Sequence, residues 1–80
     1  MNEEWRVGGT IWYHARMAQT NTYEWRTSVV RGIDRDADGN AVGLSVRDPR
    51  GNDWYARIRR GNTQLVFNHK PVKQADGSWK

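Results

Sequence analysis

Cysteine is absent from this 80-residue chain, which excludes a disulfide framework and any thiolate metal site. Histidine is scarce: His14 and His69 stand alone, neither with a second ligand at metal spacing, so no zinc site is expected. No apolar run approaches the length of a membrane span, and the mean hydropathy is −0.99. The start Met1-Asn2-Glu3-Glu4 lacks the basic and then apolar opening of a secretory signal, so a soluble, cytoplasmic protein is expected. Twelve-residue stretches with helical periodicity are missing, as are repeats and low-complexity segments.

Catalytic signatures are missing too. Ser28, Ser45 and Ser78 lie in strand or tail contexts without a strained nucleophile turn. Gly8-Gly9 is a lone pair inside a strand-like run, not a phosphate loop, and Glu3-Glu4 sits at a terminus, a poor place for acid–base work. A non-enzymatic protein without cofactor or metal is the expectation.

What is present is arginine and tryptophan. Five Trp, three Tyr and one Phe carry much of the burial open to so short a chain. Residues 1–40 hold five Arg against six acids, a net −1, whereas residues 41–80 hold eight Lys or Arg against three Asp, a net +5. A basic half favours an anionic partner, nucleic acid first.

Period-two alternation dominates and argues for strands. Val7, Ile11, Tyr13, Ala15 and Met17 share one parity, with Trp12 anomalous on the polar side. After a polar loop over 18–23, Trp25, Thr27 and Val29 read as the inward set of a second strand. The adjacent Val29-Val30 breaks the alternation, and one inserted residue, a β-bulge, would restore it. Asp34 to Asn40 is a turn with Asp-Gly at its tip. Val42, Leu44 and Val46 then point inward from a third strand, and Pro49-Arg50-Gly51-Asn52 closes it. Trp54, Ala56 and Ile58 point inward from a fourth strand, leaving Tyr55, Arg57 and Arg59 outside. A connector over 60–63 leads to a fifth strand, 64–67. Residues 68–80 read as a loose tail or as a last small hairpin around Asp76-Gly77, docked by Trp79.

Two motifs offer competing chemistry. Asp34-x-Asp36-x-Asp38-Gly39 matches the first half of a calcium loop, but its twelfth position is Ser45 where a bidentate acid is needed, so a solvated hairpin turn is the better reading. The outward residues form the stronger candidate. In a meander of the second to fourth strands, Arg26, Arg47, Tyr55, Arg57 and Arg59 approach one another, with Arg50 and Arg60 at the ends. Guanidinium groups pair bidentately with phosphate, and tyrosine offers a stacking face. The plainer alternative pairs these arginines with Asp48 and Asp53 across strands. Trp12 either covers the barrel mouth or anchors a partner.

The stretch from Trp5 to about Phe67 resembles the Tudor and SH3-like small-barrel superfamily. Trp5-Arg6-Val7-Gly8-Gly9, with Ala15 later, looks like a Tudor first strand, and Trp25-Arg26-Thr27-Ser28-Val29 is similar to the second. Val46-Arg47-Asp48 with Gly51-Asn52 resembles the family's Val-x-x-Asp-Tyr-Gly-Asn segment. Pro49 and Arg50 replace its single tyrosine, and Arg47 lies near the position of a cage aromatic, so a methyl-arginine or methyl-lysine cage is incomplete.

The expected fold is therefore all-β: one five-stranded SH3-like, Tudor-like small barrel over residues 1–67, with 68–80 as a C-terminal tail or extra hairpin of the same domain. The expected function is binding of nucleic acid, RNA or single-stranded DNA, or of a nucleoprotein complex. Its candidate residues are Trp12, Arg26, Arg47, Arg50, Tyr55, Arg57, Arg59 and Arg60. The alternative is a protein-interaction module, such as a small phage-type inhibitor of a host defence or nucleic-acid-processing protein.

Overall fold

One loop design, used three times, sets the frame. The computed structural model describes residues 5–80; Glu3 and Glu4 lie outside the described residues. In Asp36–Asn40, Asp48–Asn52 and Gln74–Ser78 the first residue's N–H bonds to the carbonyl of the fifth, and the glycine N–H bonds back to the first carbonyl. Gly39, Gly51 and Gly77 hold φ of 84°, 89° and 89°. This is a three-residue hairpin loop closed by a left-handed glycine, a conformation that a Cβ would strain. Asp36 and Asp48 reinforce it, each carboxylate accepting two loop amides at 2.9 Å.

The antiparallel strands are β1 (Thr10–Met17), β2 (Thr22–Arg35), β3 (Ala41–Arg47), β4 (Asp53–Arg57), β5 (Arg59–Arg60), β6 (Thr63–Gln64) and β7 (Val66–Phe67); the first two loops join β2 to β3 and β3 to β4, and the third lies after β7. The chain is all-β, with no helix among the described residues. Five strands form one sheet in the order β4-β3-β2-β1-β7, and β5-β6 form a second, two-stranded one. The main ladder ends at β4 and β7 without closing on itself.

One face of the main sheet carries the core. Ile11, Val30, Leu44, Val46, Ala56, Ile58 and Val66 are buried there, with Trp5, Tyr13, Ile33, Trp54 and Leu65 packed around them. Each fully buried aliphatic side chain contributes about 1.5–3 kcal/mol. The inward parity of Ile11, Leu44, Val46, Ala56 and Ile58 agrees with the alternation in the sequence.

Several placements differ from the sequence expectation, whereas the expected bulge after Val30 is present. Val7 precedes β1 in a turn and is 64% exposed; Gly8 and Gly9 leave the strand and instead bond to Val30. In β2 the pairing Ile11↔Ser28 turns Ser28 and Val30 inward, so Trp25, Thr27 and Val29 face the opposite side. The register shift falls between Val30 and Gly32, making Arg31 the inserted residue. A second shift, between Asp34 and Arg35, leaves Val42 without a register partner on β2 and 44% exposed, while Gly43 is buried on the outer face beneath Tyr55.

The fourth and fifth strands also break. Ile58 bonds through its N–H to Val42 (3.2 Å) and through its carbonyl to Leu65 (2.8 Å), which ends β4. Arg59 and Arg60 then leave the main sheet to pair with Gln64 and Thr63 about a two-residue turn, with Gly61 at φ 60°. The expected fifth strand is thereby divided: Thr63–Gln64 pairs with β5, and Val66–Phe67 pairs with Trp12 and Tyr13 of β1.

The far face of β1 and β2 is not simply solvated. His14 stacks on Trp25 (4.5 Å between ring centres, 5° between planes), and Trp25 meets Phe67 and Trp79 edge-on. Residues 72–80 form the hairpin alternative, with Val72 and Lys80 exchanging backbone bonds, and Trp79 docks it on this aromatic layer.

Candidate functional site

The turn after β3 stands against the β1–β2 surface and makes a cleft of about 450 Å³. Trp12, Tyr13, Trp25, Arg26 and Thr27 line one side, and Asp48, Pro49 and Arg50 line the other. A second cleft of about 310 Å³ continues from it, sharing Thr27, Asp48 and Pro49 and adding Val29, Arg31 and Arg47. The combined groove is aromatic at one end and cationic along its length.

Asp48 builds the wall. Its carboxyl is held below the ordinary range, first by the Asn52 backbone amide and then by the Asn52 side chain and the Arg50 amide. The ionised form thus keeps Pro49 and Arg50 in place. At the strand end Arg47 donates to both oxygens of Asp53 (2.8 and 3.2 Å), and this bond pulls the Asp53 carboxyl down. Arg26 donates to Glu24 at 2.9 Å and reaches the sulfur of Met17 at 3.2 Å. Lys70 arrives from the segment after β7, its Nζ 5.9 Å from the Trp12 ring centre, within cation–π range.

The sequence candidates are therefore distributed. Trp12, Arg26 and Arg50 come together in the larger cleft, and Arg47 lines the smaller one. Arg26 is not grouped with the β4 residues: it pairs with Tyr13 in register and lies on that side of the sheet. Tyr55 and Arg57 sit further out, opposite Ser45 and Gly43. Tyr55 leans across Gly43, where a Cβ would overlap its hydroxyl, and donates to Asp34 at 2.9 Å. That bond raises the phenol's pKa above the ordinary value. Arg59 and Arg60 belong to the β5–β6 hairpin.

Trp25, Arg31, Pro49 and Lys70 were missed as site residues. Arg31 carried a signal, since its wrong parity beside Val30 is what a bulge produces. Trp25 carried none locally, because its ring partners Phe67 and Trp79 lie far away in the chain. Among the described residues no three His, Asp or Glu side chains converge on a metal position. Asp34 instead receives Tyr55, and Asp36 caps its own loop.

Compared with known proteins, the chain matches no family model, no curated protein and no solved structure. Its chemistry must be read from the groove itself. Indole faces stack on planar ligands, and guanidinium groups pair with phosphate oxygens.

Proposed function

We propose that this chain is a non-enzymatic binding module for single-stranded nucleic acid, RNA or DNA, carried on an SH3-like, Tudor-like small-barrel scaffold. The observation that carries the reading is the cleft in which Trp12 and Trp25 lie beside Arg26 and Arg50, with Lys70 over Trp12. Aromatic faces interleaved with cations along one groove suit a strand whose bases stack while its phosphates are neutralised. The scaffold reading rests on the strand order and on a long, bulged β2 shared between the two halves of the sheet.

Tryptophan-fluorescence titration with oligo-RNA and oligo-DNA over a salt series tests this. Affinity falls steeply with salt, and Arg50→Ala lowers the magnitude of the log–log slope by about 0.7, the share of one phosphate contact on a single strand. Trp12→Ala weakens binding by about 1–3 kcal/mol, the worth of one stacked base. A flat titration at low salt removes the reading and leaves the protein-interaction module in its place.

A further inference from the structure

The two edges of the main sheet differ. β7 is two residues long, whereas β4 runs five residues in unbroken register against β3. Proline, charged side chains and bulges are the usual devices that stop an edge from pairing. β4 has no proline and no bulge, and its two charges, Asp53 and Arg57, are of opposite sign, so they do not repel a second copy laid antiparallel. The bonds from Asp48 N–H to Asn52 and from Ile58 N–H to Val42 both fall on the β3–β4 register. Antiparallel bonds alternate, so Trp54 and Ala56 turn their peptide groups toward β3, and Asp53, Tyr55 and Arg57 turn theirs to the free edge. Among the described residues no strand takes them up.

We propose that this edge pairs with itself: two copies of the chain join antiparallel through β4, about a two-fold axis at Tyr55. In that register Tyr55 meets its own counterpart, and Asp53 meets Arg57 of the second copy on both sides of the axis. All these positions present N–H and C=O outward, so about six inter-chain backbone bonds form. The side-chain pattern is self-complementary. Asp53 and Arg57 share the outer face, and Arg57 has no ion pair among the described residues. The Asp53 carboxylate already receives Arg47 and still has lone pairs free to accept a second guanidinium. On the inner face bulky Trp54 meets small Ala56, so the indoles do not collide. Sliding one strand by two residues sets Tyr55 against Arg57 in one direction or against Asp53 in the other, and loses both Asp53–Arg57 pairs. The Tyr55 rings do not obstruct the axis, since each leans inward over Gly43 to its own Asp34. An isologous contact of this kind closes at two copies.

Sedimentation velocity on the full chain, free of nucleic acid, tests the pairing between about 10 μM and about 1 mM, the range suited to a small interface. The expected mass rises from one chain to two. Asp53→Arg and Arg57→Asp each weaken the dimer about tenfold or more by turning two attractive pairs repulsive. An equimolar mixture of the two variants restores association to within about threefold of the parent, because every cross-pair is again of opposite sign. Tyr55→Pro abolishes the dimer yet folds, since that N–H faces the edge and not β3; circular dichroism verifies the fold. A monomer at the highest concentration, an assembly larger than two, or a dimer indifferent to the reversals and their mixture overturns the proposal.

Discussion

Ser28 is the residue that fits its surroundings least well. It is 2% exposed, lies in register with Ile11 at the core, and its Oγ has no hydrogen-bond partner among the described residues. A buried hydroxyl without a partner forfeits the hydration it had in the unfolded chain. Ser28→Ala is therefore expected to stabilise the protein by about 1 kcal/mol. Thermal unfolding measures this, and a lowered melting temperature would show that the hydroxyl is satisfied after all. The parity of this same residue was not legible beforehand. A serine between Thr27 and Val29 reads as the polar member of the strand, yet it is the member that points inward.

At the scale of the element, the β3–β4 loop joins fold to site. Asp48 must be ionised to hold the amides of Asn52 and Arg50, and its folded pKa is depressed for that reason. The contribution is complete above the unfolded aspartate value of about 3.9 and is lost as pH falls through the lower, folded value. Asp48→Asn removes that titration. Acid titration from pH 6 downward, followed by the amide signals of residues 48–52, is expected to show the parent loop loosening in the acid limb and the variant showing no such step. Identical profiles would place the loop's rigidity elsewhere. Asp53 and Asp76 shift in the same direction, through Arg47 and Ser78 respectively, and remain as background in both proteins. The loop itself was legible: Asp-x-x-Gly-Asn occurs twice, and each aspartate, glycine and hairpin partner lies where turn chemistry requires. The break of β4 at Ile58 was not. Alternation runs through Trp54, Ala56 and Ile58 and carries Arg59 along as an outward residue, and only the bonds to Val42 and Leu65 redirect the chain at Ile58.

Across the whole molecule, the sheet is covered on one face by the core and on the other only over β1, β2 and β7, while Tyr55 and Arg57 of β4 stay exposed. The aliphatic core occupies one face, and the His14–Trp25–Phe67–Trp79 layer occupies the other. That second layer ties the last hairpin to the first two strands. Trp79→Ala removes edge contacts to Trp25 at 5.1 Å and His14 at 5.6 Å. A loss of about 2–3 kcal/mol is expected, from the buried area plus two ring pairs. Hydrogen exchange should accelerate at Val72 and Lys80 first, while the β2–β3 ladder keeps its protection. Unchanged exchange in that hairpin would mean that Lys73–Gln74 and their turn hold it alone.

The third loop stood open between a tail and a hairpin, whereas the all-β class, the two glycine-closed loops after β2 and β3 and most of the aliphatic core were legible in the residues alone. Those follow from local rules: side chains alternate along an extended strand, and a left-handed turn position selects glycine. Only the tertiary structure decided which face Trp25 joins, that Arg59 and Arg60 leave the sheet, and that Trp12, Arg26 and Arg50 share a cleft. Period two gives a strand two faces without saying which is the core. That choice rests on register and on partners such as Phe67 and Trp79, brought in from the far end of the chain.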